Sequence, residues 1–200
     1  MIKLKQRTLF RHFLWALGLL SPKTQTTLSE RQCLIRHAAG RQRLVEIGVF
    51  NGVTTLELRK AMPATATLWA VDPFIAGRLG YNLDERIARH VINQSSNGTV
   101  EMIKLISAAA MEKYKALKLP PVEFLFVDGD HTWAGIDADW KGWAPLIGVG
   151  GIVALHDSRS YPGREVTLDS ARYTKEVICA DPRFEVIDEV DSITVLRAGH

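Results

Sequence analysis

The 200-residue chain has only two cysteines and no long apolar run. Cys33 and Cys179 have no CxxC neighbour, which favours free thiols in a reducing compartment. The apolar run FLWALGLL (13–20) is far too short to span a bilayer, and no A-x-A-like signal cleavage site follows it. These absences predict a cytoplasmic protein with no transmembrane segment.

Two nucleotide-binding patterns are also missing, the dinucleotide fingerprint G-x-G-x-x-G and the phosphate loop G-x-x-x-x-G-K-[ST]. The composition that remains is 46% hydrophobic and 24% charged, which is typical of a globular protein. A chain of this length can bury one full core, and two independent domains are disfavoured.

Positive charge is concentrated at the start of the chain. Residues 1–43 hold nine of the 25 Lys and Arg residues but one of the 22 acids, Glu30. Leu9, Phe13, Leu17 and Leu20 recur at helical spacing before Pro22. We therefore divide the chain into a basic helical extension (1–40) and a main domain (41–200). The extension is expected to cover the body, the mouth of the site or a partner subunit, so a homodimer through these helices is left open.

From residue 27 onward, helical and strand patterns alternate. Thr27 and Glu30 form a capping-box pattern at the start of one helix. The predicted strands are 43–48, 66–72, 99–106, 122–128, 150–157 and two more within 183–198. This order predicts an α/β, Rossmann-like, doubly wound sheet of seven strands, mostly parallel, with a C-terminal antiparallel hairpin. In such sheets ligands bind beyond the carboxyl ends of the strands.

The first strand end reads VEIGVFNGVTT, with Glu46 in the strand, Gly48 and Gly52 in the turn, and Thr54 opening a helix. Glycines allow a tight turn and a close approach to a ligand. The helix N-terminus offers free N–H groups to an anion such as a carboxylate. On its own this turn is weak evidence, because glycine turns between strand and helix are common.

The other strand ends also carry polar groups. The second strand ends at Asp72, placed to hold ribose hydroxyls, and the third ends near Ser107. The fourth runs into DGDH, from Asp128 to His131, and the fifth into HDS (156–158). Five polar strand ends in succession predict one functional site along this edge of the sheet.

With these motifs, residues from about 43 to 197 resemble the class I S-adenosylmethionine-dependent methyltransferases. The pairing of DGDH with GGIVALHD is similar to small-molecule O-methyltransferases, including catechol and macrolide-sugar O-methyltransferases. The resemblance implies S-adenosylmethionine as cofactor and O-methylation of a small hydroxylated acceptor, sugar-like or another polyol or phenol.

The resemblance also implies roles for individual residues. Glu46, Gly48, Gly52 and Thr54 would bind the amino acid part of S-adenosylmethionine, Asp72 the ribose, and Ser107 and Ala108 the adenine. Asp128 and Asp157 match acids that bind Mg²⁺ or another divalent cation in the metal-dependent members, and Asp128 also borders the cofactor. His131 matches the catalytic base. A cation would lower the pKa of the acceptor hydroxyl before that base removes its proton.

His156 and Ser158 depart from the relatives, which often have a second carboxylate before the last acid or an amide after it. A neutral His156 could be a metal ligand and favour Mn²⁺, Fe²⁺ or Zn²⁺, or it could turn away and bond a backbone group. Methyl transfer without a metal also remains open.

The acceptor pocket is predicted to lie under loops 74–84 and 158–171, which follow strand ends. Tyr81, Arg159, Tyr161 and Arg164 suit a sugar or another polyhydroxylated acceptor. Two alternatives stay open: an RNA or protein methyltransferase that uses the basic arm, and a non-catalytic binding module of the same fold. Nucleic acid is the less favoured substrate, because no N-P-P-Y or D-P-P-Y tetrapeptide of amino-methylating enzymes follows the fourth strand.

Three further predictions concern the helix after DGDH. Asp130 or Thr132 is expected to cap it, with Asp130 preferred, so that Asp128 serves chemistry and Asp130 stability. Trp133, Trp140 and Trp143 form a helical stripe that indicates core packing, with Trp133 also close enough to the strand end to contact substrate or adenine. Asp137 and Asp139 are expected on a solvated or capping face.

Overall fold

The computed structural model describes residues 10, 13–15, 17–77, 80 and 82–199. Within them, seven strands form one sheet: β1 (Arg43–Ile47), β2 (Thr67–Val71), β3 (Thr99–Ile103), β4 (Val122–Val127), β5 (Ile147–Leu155), β6 (Phe184–Val190) and β7 (Ile193–Ala198). The helices are α1 (Leu28–Ala38), α2 (Val53–Ala61), α3 (Leu83–Ile92), α4 (Ser107–Ala116), α5 (Trp133–Trp143) and α6 (Asp169–Tyr173). A π-helical turn, Thr174–Ile178, continues α6.

The strand order is β3-β2-β1-β4-β5-β7-β6, which confirms the predicted fold class. The first five strands are parallel, β7 runs antiparallel to β5, and β6 runs antiparallel to β7. After β1 the chain builds one side of the sheet, and it returns at β4 to build the other. The carboxyl ends of β1 and β4 therefore flank the switch point, where ligands bind in sheets of this kind.

Both faces of the sheet are buried, as expected for parallel strands covered by helices. On β1, Val45 belongs to the core under α4 and α5, while Leu44 belongs to the core under α1 and α2. Trp140 and Trp143 are buried in the first of these cores, which confirms the predicted packing stripe. The central strands β1, β2 and β4 are thus buried over most of their length on both faces.

The N-terminal extension is described only in part. The predicted helix has Leu9 outside the described residues, and residues 13–15 are helical. The Trp15 ring packs edge-on against His90 of α3, with ring centroids 5.8 Å apart. Helix α1 follows with the predicted capping box, since Thr27 Oγ1 accepts from Glu30 N and the Glu30 carboxylate accepts from Thr27 N. No helix of the described part of the chain is both long and apolar enough to cross a membrane.

Two expectations for α5 are wrong. Thr132, not Asp130, is its N-cap, with Oγ1 accepting from Gly135 N at 3.1 Å. Asp130 Oδ1 accepts instead from the backbone N of Thr132, the cap residue itself, at 3.0 Å. Asp139 is not solvated but 7% exposed, and burial raises its pKa to about 6, although a hydrogen bond with Ser107 opposes the rise. Helix periodicity alone does not tell which side of α5 meets α4.

Candidate functional site

The turn after β1 brings the backbones of two strand ends into contact. Gly48 has φ +91, and a Cβ built on it would lie 2.0 Å from the Asp128 carbonyl oxygen. Gly52 has φ +75, and its Cβ would lie 3.0 Å from Cα of Ala88 on α3. Both positions need glycine for backbone conformation and for close approach. Gly48 therefore lets the ends of β1 and β4 meet at the switch point.

A cavity of about 290 Å³ lies at this point. Its walls come from the segment before α1, the β1 turn with the start of α2, and the ends of β2 and β4: Lys23, Thr24, Gln25, Gly48, Val49, Phe50, Val53, Thr54, Asp72, Asp128, Gly129 and His131. Five of the residues predicted from sequence, namely Gly48, Thr54, Asp72, Asp128 and His131, are thus brought together around one space.

Asp72 holds the turn in place. Its Oδ2 accepts from Val49 N at 3.0 Å and from Phe50 N at 3.2 Å, and its Oδ1 accepts from Phe74 N at 2.8 Å. The carboxylate thereby ties the end of β2 to the end of β1. It also keeps a negative charge on the cavity wall.

Glu46 lies behind the cavity wall, in β1. Its side chain is fully buried, and neither carboxyl oxygen has a hydrogen-bond partner among the described residues. Burial is the main cause that raises the pKa of Glu46, to about 8; the Thr55 hydroxyl opposes the rise, and the charges of Asp128 and Asp72 add to it. A buried polar group without a partner is costly unless a ligand or a water satisfies it.

His156 neither turns to the backbone nor stands free. Its Nδ1 lies 2.9 Å from Asp128 Oδ1, and its Nε2 lies 3.4 Å from Glu30 Oε2. Burial by itself lowers the pKa of His156, but the carboxylates of Asp128, Glu30 and Asp157 outweigh it and raise the pKa to about 10. The side chain is therefore an imidazolium at neutral pH, held between two acids.

The two carboxylates predicted to bind a metal are instead paired with positively charged side chains of the protein. Asp128 pairs with His156, and Asp157 Oδ1 accepts from Arg164 Nη2 at 2.9 Å. Asp157 also has φ +48, an uncommon backbone conformation for a residue other than glycine. As arranged, these residues do not fit a divalent cation, because Asp128 and Asp157 are engaged by His156 and Arg164, and the ligand atoms of Asp128, His156 and Asp157 do not all lie within 4.8 Å of one another.

His131 is positioned on the cavity side of Asp128. Its Nε2 lies 3.6 Å from Asp128 Oδ1, and 27% of its side chain is exposed. Its carbonyl oxygen accepts from Ser170 N of α6 at 3.1 Å, so α6 fixes the loop that carries it. The imidazole thus reaches the cavity with a carboxylate next to it.

The residues predicted to contact adenine are not part of this cavity wall. Ser107 begins α4 and accepts from Trp143 Nε1 at 2.9 Å, and Ala108 is exposed. Glu46 and Gly52, which were also predicted to bind the cofactor, do not line this cavity either. Trp133 packs against Tyr173 of α6, with ring centroids 4.9 Å apart.

Sequence reasoning missed the contribution of the segment before α1. Residues 23–25 line the cavity, Lys23 N donates to Asn51 Oδ1 at 3.0 Å, and Glu30 reaches His156. The capping box around Glu30 was visible but indicated only a helix start. The one available signal was that Glu30 is the single acid in an otherwise basic stretch.

A second cavity, of about 490 Å³, opens beyond the end of β5. Its lining includes Arg159, Arg172 and Lys175, together with Thr174, whose buried hydroxyl has no partner among the described residues. Ala171, which lines this cavity, follows Ser170, whose N–H donates to the carbonyl oxygen of His131 on the wall of the first cavity. Tyr81, predicted to face the acceptor, lies outside the described residues.

Comparison with known proteins agrees with this geometry. The sequence model of a family described as "Methyltransferase domain" matches residues 45–158, from β1 through the end of β5. An uncharacterized protein of Sinorhizobium fredii, y4gI, is 27% identical over 129 residues, which is 61% of this chain. The chain spans about 14% of the length of that curated relative.

Solved structures share the fold at low sequence identity. The O-methyltransferase TomG of Streptomyces achromogenes, involved in tomaymycin synthesis and solved with S-adenosylmethionine, has a TM-score of 0.67 and 15% identity, covering 96% of this chain and 89% of its own. An O-methyltransferase of Bacillus cereus, solved with SAH, has a TM-score of 0.61 and 17% identity, covering 94% and 87%. An rRNA methylase of Streptococcus thermophilus has a TM-score of 0.60 and 12% identity, covering 89% and 100%.

Proposed function

Because the chain belongs to the methyltransferase domain family, we propose that it is an S-adenosylmethionine-dependent O-methyltransferase for a small hydroxylated acceptor. The observation that carries the proposal is the meeting of the β1 turn, Asp72, Asp128 and His131 around one cavity at the switch point of the sheet. Methyl transfer requires the methyl donor and the base that takes the acceptor's proton to lie close together, and these residues border one space.

In the proposed donor site, Asp72 lies on the cavity wall and Glu46 lies buried behind it. The unpartnered carboxyl of Glu46 is suited to the cationic amino group of the donor, which would favour its ionised form. Thr54, in the first turn of α2, offers the helix N-terminus to the donor carboxylate. Asp72 borders the cavity as an acceptor for ribose hydroxyls, and Ser107 with Ala108 remains the proposed adenine contact. Bound S-adenosylmethionine would supply an activated methyl group on its sulfonium.

His131 is the proposed general base. An imidazole titrates near neutrality, and the exposed side of His131 faces the cavity, where an acceptor hydroxyl could approach it. Asp128, 3.6 Å away, would stabilise the imidazolium formed when His131 takes the proton. Glu30 and His156 keep Asp128 in place from the buried side. We derive no step through a metal, because the side chains predicted to bind one are already paired with His156 and Arg164.

The second cavity is the proposed acceptor pocket. It begins next to Asp157 and is walled by α6, whose Ser170 bonds to the backbone of His131. Arg159, which lines it, and Arg164, which pairs with Asp157, offer hydrogen-bond donors to the oxygens of a polyhydroxylated acceptor. A sugar or another polyol suits these donors better than a bare aromatic ring.

A methyl-transfer assay with labelled donor and a panel of sugars, polyols and phenols tests the proposal. Wild-type protein should transfer label to a hydroxyl oxygen, and His131→Asn should lower kcat by about 10² to 10⁴. His90→Asn is the matched control, because His90 is exposed on α3, outside the cavity. Equal losses in both variants, or no transfer to any acceptor while donor binds, would contradict the assignment and favour a non-catalytic binding module.

Metal assistance is tested in the same assay. Activity that survives dialysis against EDTA would remove the predicted cation from the mechanism. Activity that is lost and then restored by Mg²⁺ or Mn²⁺ would require His156 and Arg164 to release Asp128 and Asp157.

RNA is the second candidate acceptor. The basic residues of the N-terminal extension and the fold shared with an rRNA methylase favour it. RNA binding through that extension should weaken steeply as salt rises from 50 to 200 mM. Label found in RNA and absent from every small acceptor would replace the small-molecule proposal.

Exposed apolar side chains of the N-terminal extension support the predicted homodimer. Phe13, Leu17 and Leu19 are exposed, with 55–69% of each residue accessible. Light scattering of wild type against a Phe13→Ser/Leu17→Ser double variant would test it. A monomer in both cases would discard the dimer.

A further inference from the structure

A second group of metal-binding side chains lies away from the cavity. Cys33 and His37 are one turn apart on α1, and Asp188 lies opposite them on β6. One potential ligand atom from each of the three falls within 4.8 Å of the others. Cys33 Sγ is 3.7 Å, and His37 Nε2 is 2.9 Å, from the same oxygen, Asp188 Oδ2.

These separations are close to those around a tetrahedral zinc ion. Bonds of about 2.3 Å to sulfur and about 2.0–2.1 Å to nitrogen or oxygen place tetrahedral ligands roughly 3.3–3.5 Å apart. The two distances to Asp188 differ from that range by less than about half an ångström, which small side-chain rotations could supply. A bulge in β6, at Val186 to Asp188, lies at the position from which Asp188 meets α1.

We propose that Cys33, His37 and Asp188 bind a thiophilic divalent cation of the Zn²⁺ class, which joins α1 to the edge strand β6. Three protein ligands leave one position for water, and the ligand set is open to solvent, because 17% of the His37 side chain and 27% of the Asp188 side chain are exposed. Cys33 is buried and supplies the inner ligand. A thiolate with an imidazole selects against Mg²⁺ and Ca²⁺, which prefer oxygen ligands alone.

Two features of the site oppose the metal and set the expected affinity. Burial, reinforced by Asp188, raises the pKa of Cys33 to about 11, so binding must release the thiol proton. Arg36 Nη2 lies 2.5 Å from Asp188 Oδ2 and would compete with the cation for it. The Arg36 side chain is 59% exposed, so it can move into solvent when a metal binds.

The clamp would also act on the candidate active site. Glu30, which accepts from Ser192 and pairs with His156, precedes Cys33 by one turn of α1. Joining the second half of α1 to β6 would hold Glu30 against the β6–β7 turn. This role in positioning rests on the proposed function, whereas metal binding itself does not.

Co²⁺ added to the metal-free full-length chain gives a direct test. Wild type should show a near-ultraviolet thiolate-to-cobalt charge-transfer band at one equivalent. The band should vanish in Cys33→Ala and persist in Cys179→Ala, which removes the chain's other cysteine. No band in wild type, or a band lost with Cys179, would overturn the site.

Competition between the chain and a chelator for Zn²⁺ adds a test that does not depend on a buried substitution. His37→Asn should weaken Zn²⁺ binding at least about tenfold. Arg36→Gln should tighten it about three- to tenfold, because it removes a positive charge next to the ion. An unchanged or weaker affinity in Arg36→Gln, or an unchanged affinity in His37→Asn, would contradict the proposal. Neither outcome bears on methyl transfer, so the two proposals fail independently.

Discussion

The Nε2 atom of His156 lies 3.4 Å from Oε2 of Glu30, and both side chains are fully buried. Burial raises the pKa of Glu30, but ion pairing with His156 and hydrogen bonds from Ser192 and Thr27 outweigh it and lower the pKa to about 2. The pair is therefore charged at neutral pH. It joins a helix that precedes the sheet to Asp128 at the centre of the candidate site.

Glu30→Gln should destabilise the protein by about 3 kcal/mol, because it leaves a buried imidazolium with one carboxylate fewer. Glutamine has one acceptor oxygen, so it can keep either the capping-box bond from Thr27 N or the bonds from Ser192, and the change removes hydrogen bonds together with the charge. Urea unfolding at pH 7 measures the effect. Glu112→Gln, at an exposed acid of α4, should stay within about 0.5 kcal/mol of wild type, and an equally small effect at Glu30 would show that the pair adds little.

Glu46 should impose a pH dependence on stability. Its pKa is about 8 in the folded chain against an ordinary value of 4.5, so the folded state keeps a proton that the unfolded state releases. The free energy of unfolding should then fall as pH rises from 4.5 to 8, by at most about 5 kcal/mol. Glu46→Gln removes that contribution. Urea unfolding at pH 5, 6.5 and 8 should show the variant gaining on wild type, whereas parallel curves would contradict the raised pKa.

Gly48→Ala should cost more stability than Gly40→Ala. Both glycines have positive φ, +91 and +78, so both substitutions strain the backbone by about 1 kcal/mol or more. Only at Gly48 does the new Cβ meet another atom, the Asp128 carbonyl oxygen at 2.0 Å, whereas Gly40 faces open space. We expect Gly48→Ala to be worse by at least about 2 kcal/mol and to abolish donor binding. Equal unfolding energies would show that the strand ends are not in contact.

The cap of α5 is Thr132 rather than Asp130, so the expected effects of substitutions in and after the DGDH stretch differ from those that the sequence suggested. Thr132→Ala should cost about 1 kcal/mol through loss of the α5 cap, and Asp130→Ala should cost less. Asp128→Asn should remove methyl transfer and also cost about 3 kcal/mol, because it too leaves the buried His156 imidazolium with one carboxylate fewer. Thermal melts alongside the transfer assay distinguish the three, and a larger stability loss for Asp130→Ala than for Thr132→Ala would restore Asp130 as the cap.

The fold could be predicted almost completely, because its signals are local. Apolar runs such as VEFLFV and the alternating helices determined the order of elements, and the short DS turn forced β6 and β7 to be antiparallel. The site could be predicted only where a strand end carries its residue, as with Asp72, Asp128 and His131. Carboxyl ends of parallel strands meet whatever the packing around them.

Contacts between distant segments could not be predicted in this way. Glu30 and His156 are far apart in sequence, and nothing near either residue reveals the pairing. The same holds for Asp139, whose burial depends on how α5 rests on α4. His156 was ambiguous because its charge is set by neighbours from α1 and β4. Single-sequence patterns report on one element at a time.

The hydrogen bond from Lys23 to Asn51 and the ion pair of Glu30 with His156 have a consequence for exchanging this unit between proteins. A transplant cut at Arg41 would carry every strand of the sheet but would leave behind one wall of the cavity and the counter-charge of a buried cation. A cut before Lys23 would carry both. A segment that is to keep the site intact after recombination must therefore include residues 23–40 as well as the sheet and the helices that connect its strands.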